Sequence, residues 1–102
     1  VVLTGSMIPL AAVYSDARRN LLISMIFAAQ LDLCEVTIFF NDRLLRGNRA
    51  IKADSNGLDA FDTPNFPPLA TVGARVSADR AKWRSPPISR LRVHTTMETS
   101  IV

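Results

Sequence analysis

Lys52 ends a polar, arginine-rich run, Asn41 to Lys52 (NDRLLRGNRAIK), and is one of two lysines beside ten arginines. A lysine becomes a base or a charge-handling group when neighbouring cations and burial depress its pKa. By residue type alone, a lysine after a loop reads more simply as a solvated surface charge. Gly5-Ser6-Met7 is the second candidate. A lone Gly-Ser is a weak motif, and a strand-to-loop turn accounts for it. The run Ser15-Asp16-Ala17-Arg18-Arg19-Asn20 holds the short polar side chains of a helix cap, then an amide able to fasten a helix to a sheet. A structural role is favoured there over substrate contact. Asn41, Asp42 and Arg43 read as loop anchors and interface residues. Asp54, Asp59 and Asp62 lack a calcium-loop spacing, so no metal site is expected. His94 is the single histidine; it excludes an argued Ser/His/Asp arrangement and reads as a satisfied structural residue. No glycine-rich phosphate loop is present, which disfavours nucleotide binding.

The elements that must position these residues follow from periodicity. Val1 to Thr4 is a β-branched run ending at Gly5, expected as a fully buried strand. Ser6 to Tyr14 is a loop, since Pro9 opposes a helix. Ser15 or Asp16 offers an N-cap to a helix over Ala17 to Gln30. Leu21, Leu22, Met25, Ile26 and Ala29 recur at helical spacing and predict the packed face. Val36 to Phe40 is a second strand, apolar on both faces apart from Thr37. Arg43 to Leu45 extends as a short strand before a turn at Gly47. Leu69 to Val76 and Leu91 to Thr95 are further strand candidates. Strand, helix, strand at this spacing predicts a right-handed βαβ unit in a parallel sheet covered by helices. Ligands of such sheets gather at the carboxyl ends of the strands, here Gly5-Ser6-Met7 and Asn41-Asp42.

The 102 residues suit one small domain. The net charge of +3 is uneven, because Arg75, Arg80, Lys82, Arg84, Arg90 and Arg92 face only Asp79 between positions 75 and 92. With Trp83 its only aromatic and a Pro86-Pro87 break, this stretch reads as a solvated connection, not a nucleic-acid or lipid surface. Cys34 is alone, which excludes an internal disulfide, fits a reducing compartment and predicts a buried thiol. No apolar run reaches the ~20 residues of a membrane helix. An opening Val1 inside an apolar run and an uncapped TSIV end predict a piece of a longer protein.

Several of these segments together resemble the cytoplasmic (type I) L-asparaginases: VVLTGSMIPL, SDARRNLL, NDRLLRGNRAIK and GLDAFDTPNFPPLATVG. The resemblance implies a three-layer, parallel-sheet α/β domain of Rossmann/flavodoxin-like type. It implies that residues 1–92 are the C-terminal part of the family's N-terminal domain. Residues 93–102, around VHTTME, are then the junction to a C-terminal domain. Arg46, Gly47, Arg49 and Lys52 match the family's RGxRxTK, with Ile51 where threonine is usual. By that match Lys52 is the catalytic lysine of a Thr-Lys-Asp constellation beside the scissile amide. Gly5-Ser6-Met7 matches TGAQ or TGSQ, with Met7 replacing glutamine, and Ser6 touches substrate through its main chain.

The implied reaction is hydrolysis of L-asparagine to aspartate and ammonia by a threonine nucleophile, without cofactor. The implied setting is a cytoplasmic homo-oligomer with no nucleic-acid or membrane partner. The family's TGGT and GTDT segments, which carry the nucleophile and the aspartate, do not occur in this chain. The chain by itself is therefore expected to be inactive. The alternative is a non-catalytic truncated paralogue that acts as a binding or assembly module.

Overall fold

A computed structural model describes residues 1–96. Strand β1 (Val2–Leu3) leads through a loop into helix α1 (Ala17–Gln30), which returns the chain to strand β2 (Thr37–Phe40). β1 and β2 pair in parallel, Val2 opposite Thr37 and Leu3 opposite Ile38. The expected βαβ unit is therefore present. β1 lies at the sheet edge, however, and Val1 and Leu3 are exposed, so it is not the fully buried strand that its composition predicts.

The parallel arrangement stops at β2. Asn41 and Asp42 have φ of 47° and 65°, the only non-glycine positive values among the described residues. Two consecutive left-handed residues make the tight turn whose twist suits a hairpin, and Asn and Asp tolerate that region better than other side chains. The chain doubles back as β3 (Arg43–Arg46), antiparallel to β2 with Phe40 opposite Arg43. A 3₁₀ turn at Gly47–Arg49 follows, then β4 (Ile51–Lys52) and β5 (Phe61–Asp62), which form a separate antiparallel pair. β6 (Ala70–Val72) and β7 (Val76–Ala78) complete the main sheet in the order β1-β2-β3-β6-β7. The fold is thus mixed α/β with a mostly antiparallel sheet in place of the expected parallel three-layer one, and only β1 and β2 pair in parallel.

Side chains alternate across a strand. Thr37 and Phe39 point towards α1, where Phe39 meets Phe27 edge-on at 5.3 Å between ring centroids. Phe27, Phe39, Leu44, Leu69 and Ala70 form the core on that side. Each large side chain buried there contributes about 1.5–3 kcal/mol of transfer free energy. The helix has the predicted bounds but the opposite sidedness. It buries Asn20, Ser24 and Phe27, while Leu21, Leu22, Met25 and Ile26 are exposed. Its capping differs too. Asp16 is the N-cap residue but makes no cap bond; Ser15 Oγ accepts from the Ala17 N–H at 3.0 Å instead.

Three further expectations change. The apolar run after Leu69 divides into two strands joined at Gly73–Arg75, where the Gly73 N–H bonds Arg75 O at 3.0 Å. Leu91 to Thr95 is exposed, irregular chain, so His94 is no buried structural histidine. Cys34 is exposed as well, because β2 begins only at Thr37 and leaves it in the preceding turn. Of the junction segment 93–102, positions 97–102 lie outside the described residues. Among the described residues no helix is long and apolar enough to cross a membrane.

Candidate functional site

The face of the sheet turned away from α1 carries Leu3, Ile38 and Phe40, by the same alternation that sends Phe39 inward. The β4–β5 pair lies against that face. Phe61 packs on Phe40 with ring centroids 5.1 Å apart, and Lys52 is paired with Phe61. Between this hairpin and the Thr4–Met7 loop is a hollow of about 270 Å³, floored by Ile38 and Phe40. Lys52 and Ser6 both line it. The two residues singled out in the sequence, 46 positions apart, thus share one cavity. Both are exposed on its rim.

What places Lys52 was only partly visible in the sequence. From β3 the Arg43 guanidinium reaches Asp62 Oδ1 at 3.0 Å, Asp59 Oδ1 at 2.5 Å and the Phe61 carbonyl at 2.5 Å. Burial pulls the Arg43 pKa down, but its bonds to Asp59 and Asp62 outweigh that and raise it above its ordinary value. Asp59 and Asp62, read as loop acids, are thus the anchors that fasten the Lys52 hairpin to the main sheet. Asp54 closes its own turn: the N–H groups of Asn56 and Gly57 hold its carboxyl below the usual range. Among the described residues no group of acids, cysteines or histidines could hold a metal.

A second anchor lies at the start of the same run. The Glu35 side chain is 2% exposed and receives Arg46 Nε at 2.5 Å, Arg46 Nη2 at 3.0 Å and the Arg84 N–H at 2.9 Å. The Arg46 bond leads in holding this carboxyl below the usual glutamate range; burial opposes it and the Arg84 N–H adds to it. Arg46 also donates to Lys82 O at 2.8 Å and stacks over Phe66 at 4.2 Å, with Arg49 at 5.7 Å from the same ring. The arginine-rich run is therefore largely structural. Gly47 is required by close approach, since a Cβ there would stand 2.7 Å from the Val36 carbonyl.

The Ser6 loop is held from α1. Asp16 accepts from the N–H groups of Met7 (3.1 Å) and Ile8 (3.0 Å), and Ser15 Oγ donates to Ile8 O at 2.7 Å. Asn20 Nδ2 donates to Gly5 O at 2.9 Å, and its Oδ1 accepts from the Asn41 N–H at 3.2 Å. Asn41 and Asp42 form the hairpin turn, where Asp42 also pairs with Arg19 at 2.7 Å. One cation and a set of main-chain groups thus face a small, apolar-floored hollow. Such a site can orient a compact polar molecule by its carbonyl or carboxylate.

The family model described as "Asparaginase, N-terminal" matches residues 1–84. The chain is 46% identical over 102 residues to the 60 kDa lysophospholipase of Mus musculus, covering 99% of this chain and 18% of that protein. It is 51% identical over 76 residues to L-asparaginase 1 of Escherichia coli K12, covering 74% of this chain and 22% of that protein. The crystal structure of L-asparaginase I from Vibrio cholerae superposes with a TM-score of 0.79 at 42% identity, over 87% of this chain and 27% of that one. The chain spans less than a quarter of the length of these two curated relatives.

Proposed function

From the chain's place in the asparaginase family, to which it belongs through the N-terminal domain, we propose that it forms part of an L-asparaginase. The substrate is L-asparagine, hydrolysed to L-aspartate and ammonia through a threonine nucleophile. The single observation that supports this most is the cavity shared by Lys52 and Ser6, one on the β4–β5 hairpin and the other in a loop distant in sequence. In this reading Lys52 organises proton transfer at the scissile amide and the Ser6 main chain orients the substrate. The nucleophile and its aspartate come from outside these residues, so the chain by itself is inactive and no cofactor is needed. Residues 1–92 serve as the C-terminal part of the N-terminal domain and 93–102 as the junction beyond it. The protein is cytoplasmic and works as a homo-oligomer.

The test is a chimera in which residues 1–84 replace the matching segment of the Vibrio cholerae enzyme. It should release ammonia from L-asparagine, and Lys52→Ala should lower kcat by about 100-fold or more while leaving assembly unchanged. Activity that survives the substitution refutes the role. Lysophosphatidylcholine is the second substrate to assay, given the name of the mouse relative. A non-catalytic assembly module is the other reading, favoured by the exposed Leu21, Leu22, Met25 and Ile26 face of α1. It predicts self-association of the chain and a chimera that assembles without hydrolysing either substrate.

A further inference from the structure

We propose that Asp16 and Asn20 are positioning residues that lock the Ser6 main chain to the β2–β3 turn, setting the gap across which Ser6 and Lys52 face each other. This rests on the asparaginase reading of the cavity.

Burying an amide is unfavourable unless its polar atoms find partners, so an apolar residue would join a helix to a sheet more simply. Asn20 is nevertheless 1% exposed in the second turn of α1. Its two ends reach the two loops at the carboxyl ends of neighbouring strands. Nδ2 bonds Gly5 O, just after β1, and Oδ1 bonds the Asn41 N–H, just after β2. The Asp16 carboxylate takes the Met7 and Ile8 N–H groups and lies 3.4 Å from Asn20 Nδ2. The peptide groups on both sides of Ser6 are therefore clamped from α1. Among the described residues, no hydrogen bond is made by the N–H or C=O of Ser6 itself. Each of these two peptides is held at its outer atom and leaves its Ser6 atom open, which forms a preorganised polar edge. The β2–β3 turn gripped by Asn20 continues into β3, whose first residue, Arg43, holds the Lys52 hairpin. One amide therefore references both walls of the hollow.

The experiment uses the same chimera. Asn20→Asp keeps the acceptor for Asn41 and removes the donor to Gly5 O. Asp16→Ala removes both acceptors for the loop, while Asp16→Asn restores one. At temperatures where each variant is fully folded, Asn20→Asp and Asp16→Ala should lower kcat for L-asparagine about 10- to 100-fold, with KM within threefold. Asp16→Asn should recover most of the loss. In the 102-residue chain, hydrogen exchange should quicken at Met7 and Ile8 in Asp16→Ala, with β2 and β3 unchanged. A folded Asn20→Asp variant within twofold of the parent kcat overturns the proposal, as does unaltered exchange at Met7 and Ile8. Activity that survives Lys52→Ala removes the asparaginase reading instead. A dead Lys52→Ala beside a fully active Asn20→Asp removes only the positioning role.

Discussion

Replacing Glu35 by Gln keeps the shape of the side chain and removes its charge from a site where it is 2% exposed. Three donors converge on this carboxylate: two from Arg46 and the Arg84 N–H. An amide can accept at one atom only, so its NH2 must face one of the donors, and Arg46 is left with a partly uncompensated charge. Breaking a buried pair by removing one partner costs about 3–5 kcal/mol. Arg46 keeps its bond to Lys82 O and its contact with Phe66, which lowers the expected loss to about 2–3 kcal/mol. That is a large share of the roughly 5–15 kcal/mol that stabilises a typical domain. With a urea slope of about 1.5 kcal/mol/M, the midpoint should fall by about 1.3–2 M, read by circular dichroism with the slope unchanged. The partner double variant Glu35→Met with Arg46→Met should recover most of the stability, because it leaves no unpaired charge. A shift below about 0.3 M for Glu35→Gln would refute the argument that this pair holds the exit of β3.

Acid titration should show the same pair. The folded Glu35 pKa is depressed, so its contribution is complete above the ordinary glutamate value of about 4.3 and is lost as pH falls below that. The Glu35→Gln variant should therefore show a flatter loss of stability below about pH 4.3 than the parent, measured as urea midpoint against pH. Gly47→Ala should lower stability by about 1–3 kcal/mol in thermal melts, since the new methyl meets the backbone carbonyl of Val36, which cannot swing away. Asp42→Val should cost about 1–2 kcal/mol because a β-branched residue is strained at that positive φ, whereas Asp42→Asn should stay within about 0.5 kcal/mol. Equal effects of the two would show that the turn conformation is not what matters there.

Several features were legible in the amino-acid order because they are local. Ser15-Asp16 followed by helical spacing marks where α1 begins, and its end at Gln30 matches the pattern. The β-branched run at Val2–Leu3 and the apolar run to Phe40 mark the strands on either side of it, and a parallel crossover follows from their separation. Both rim loops were legible for the same reason, as the points where apolar runs stop. The similarity carried by RGNRAIK and PNFPPLATVG needs only short stretches of identity, and the family match bears it out.

Tertiary structure decided the rest. Two consecutive left-handed residues at Asn41-Asp42 reverse the chain and make most of the sheet antiparallel. Their residue types permit that turn without requiring it. Opposite faces of α1 carry Leu21-Leu22-Met25-Ile26 and Asn20-Ser24-Phe27, and hydrophobicity favours the first. The second meets the sheet, where Phe27 packs on Phe39 and Asn20 bonds the loops that end both β1 and β2. Apart from Asn20, four residues on from Asp16, the partners of Glu35, Arg43 and Asp16 lie 8 to 49 positions away, so nothing in local spacing announces them. The meeting of Ser6 and Lys52 is of the same kind. Each residue type is set by local sequence, but a shared cavity exists only once the sheet, its turn and the β4–β5 hairpin have brought distant loops to one face.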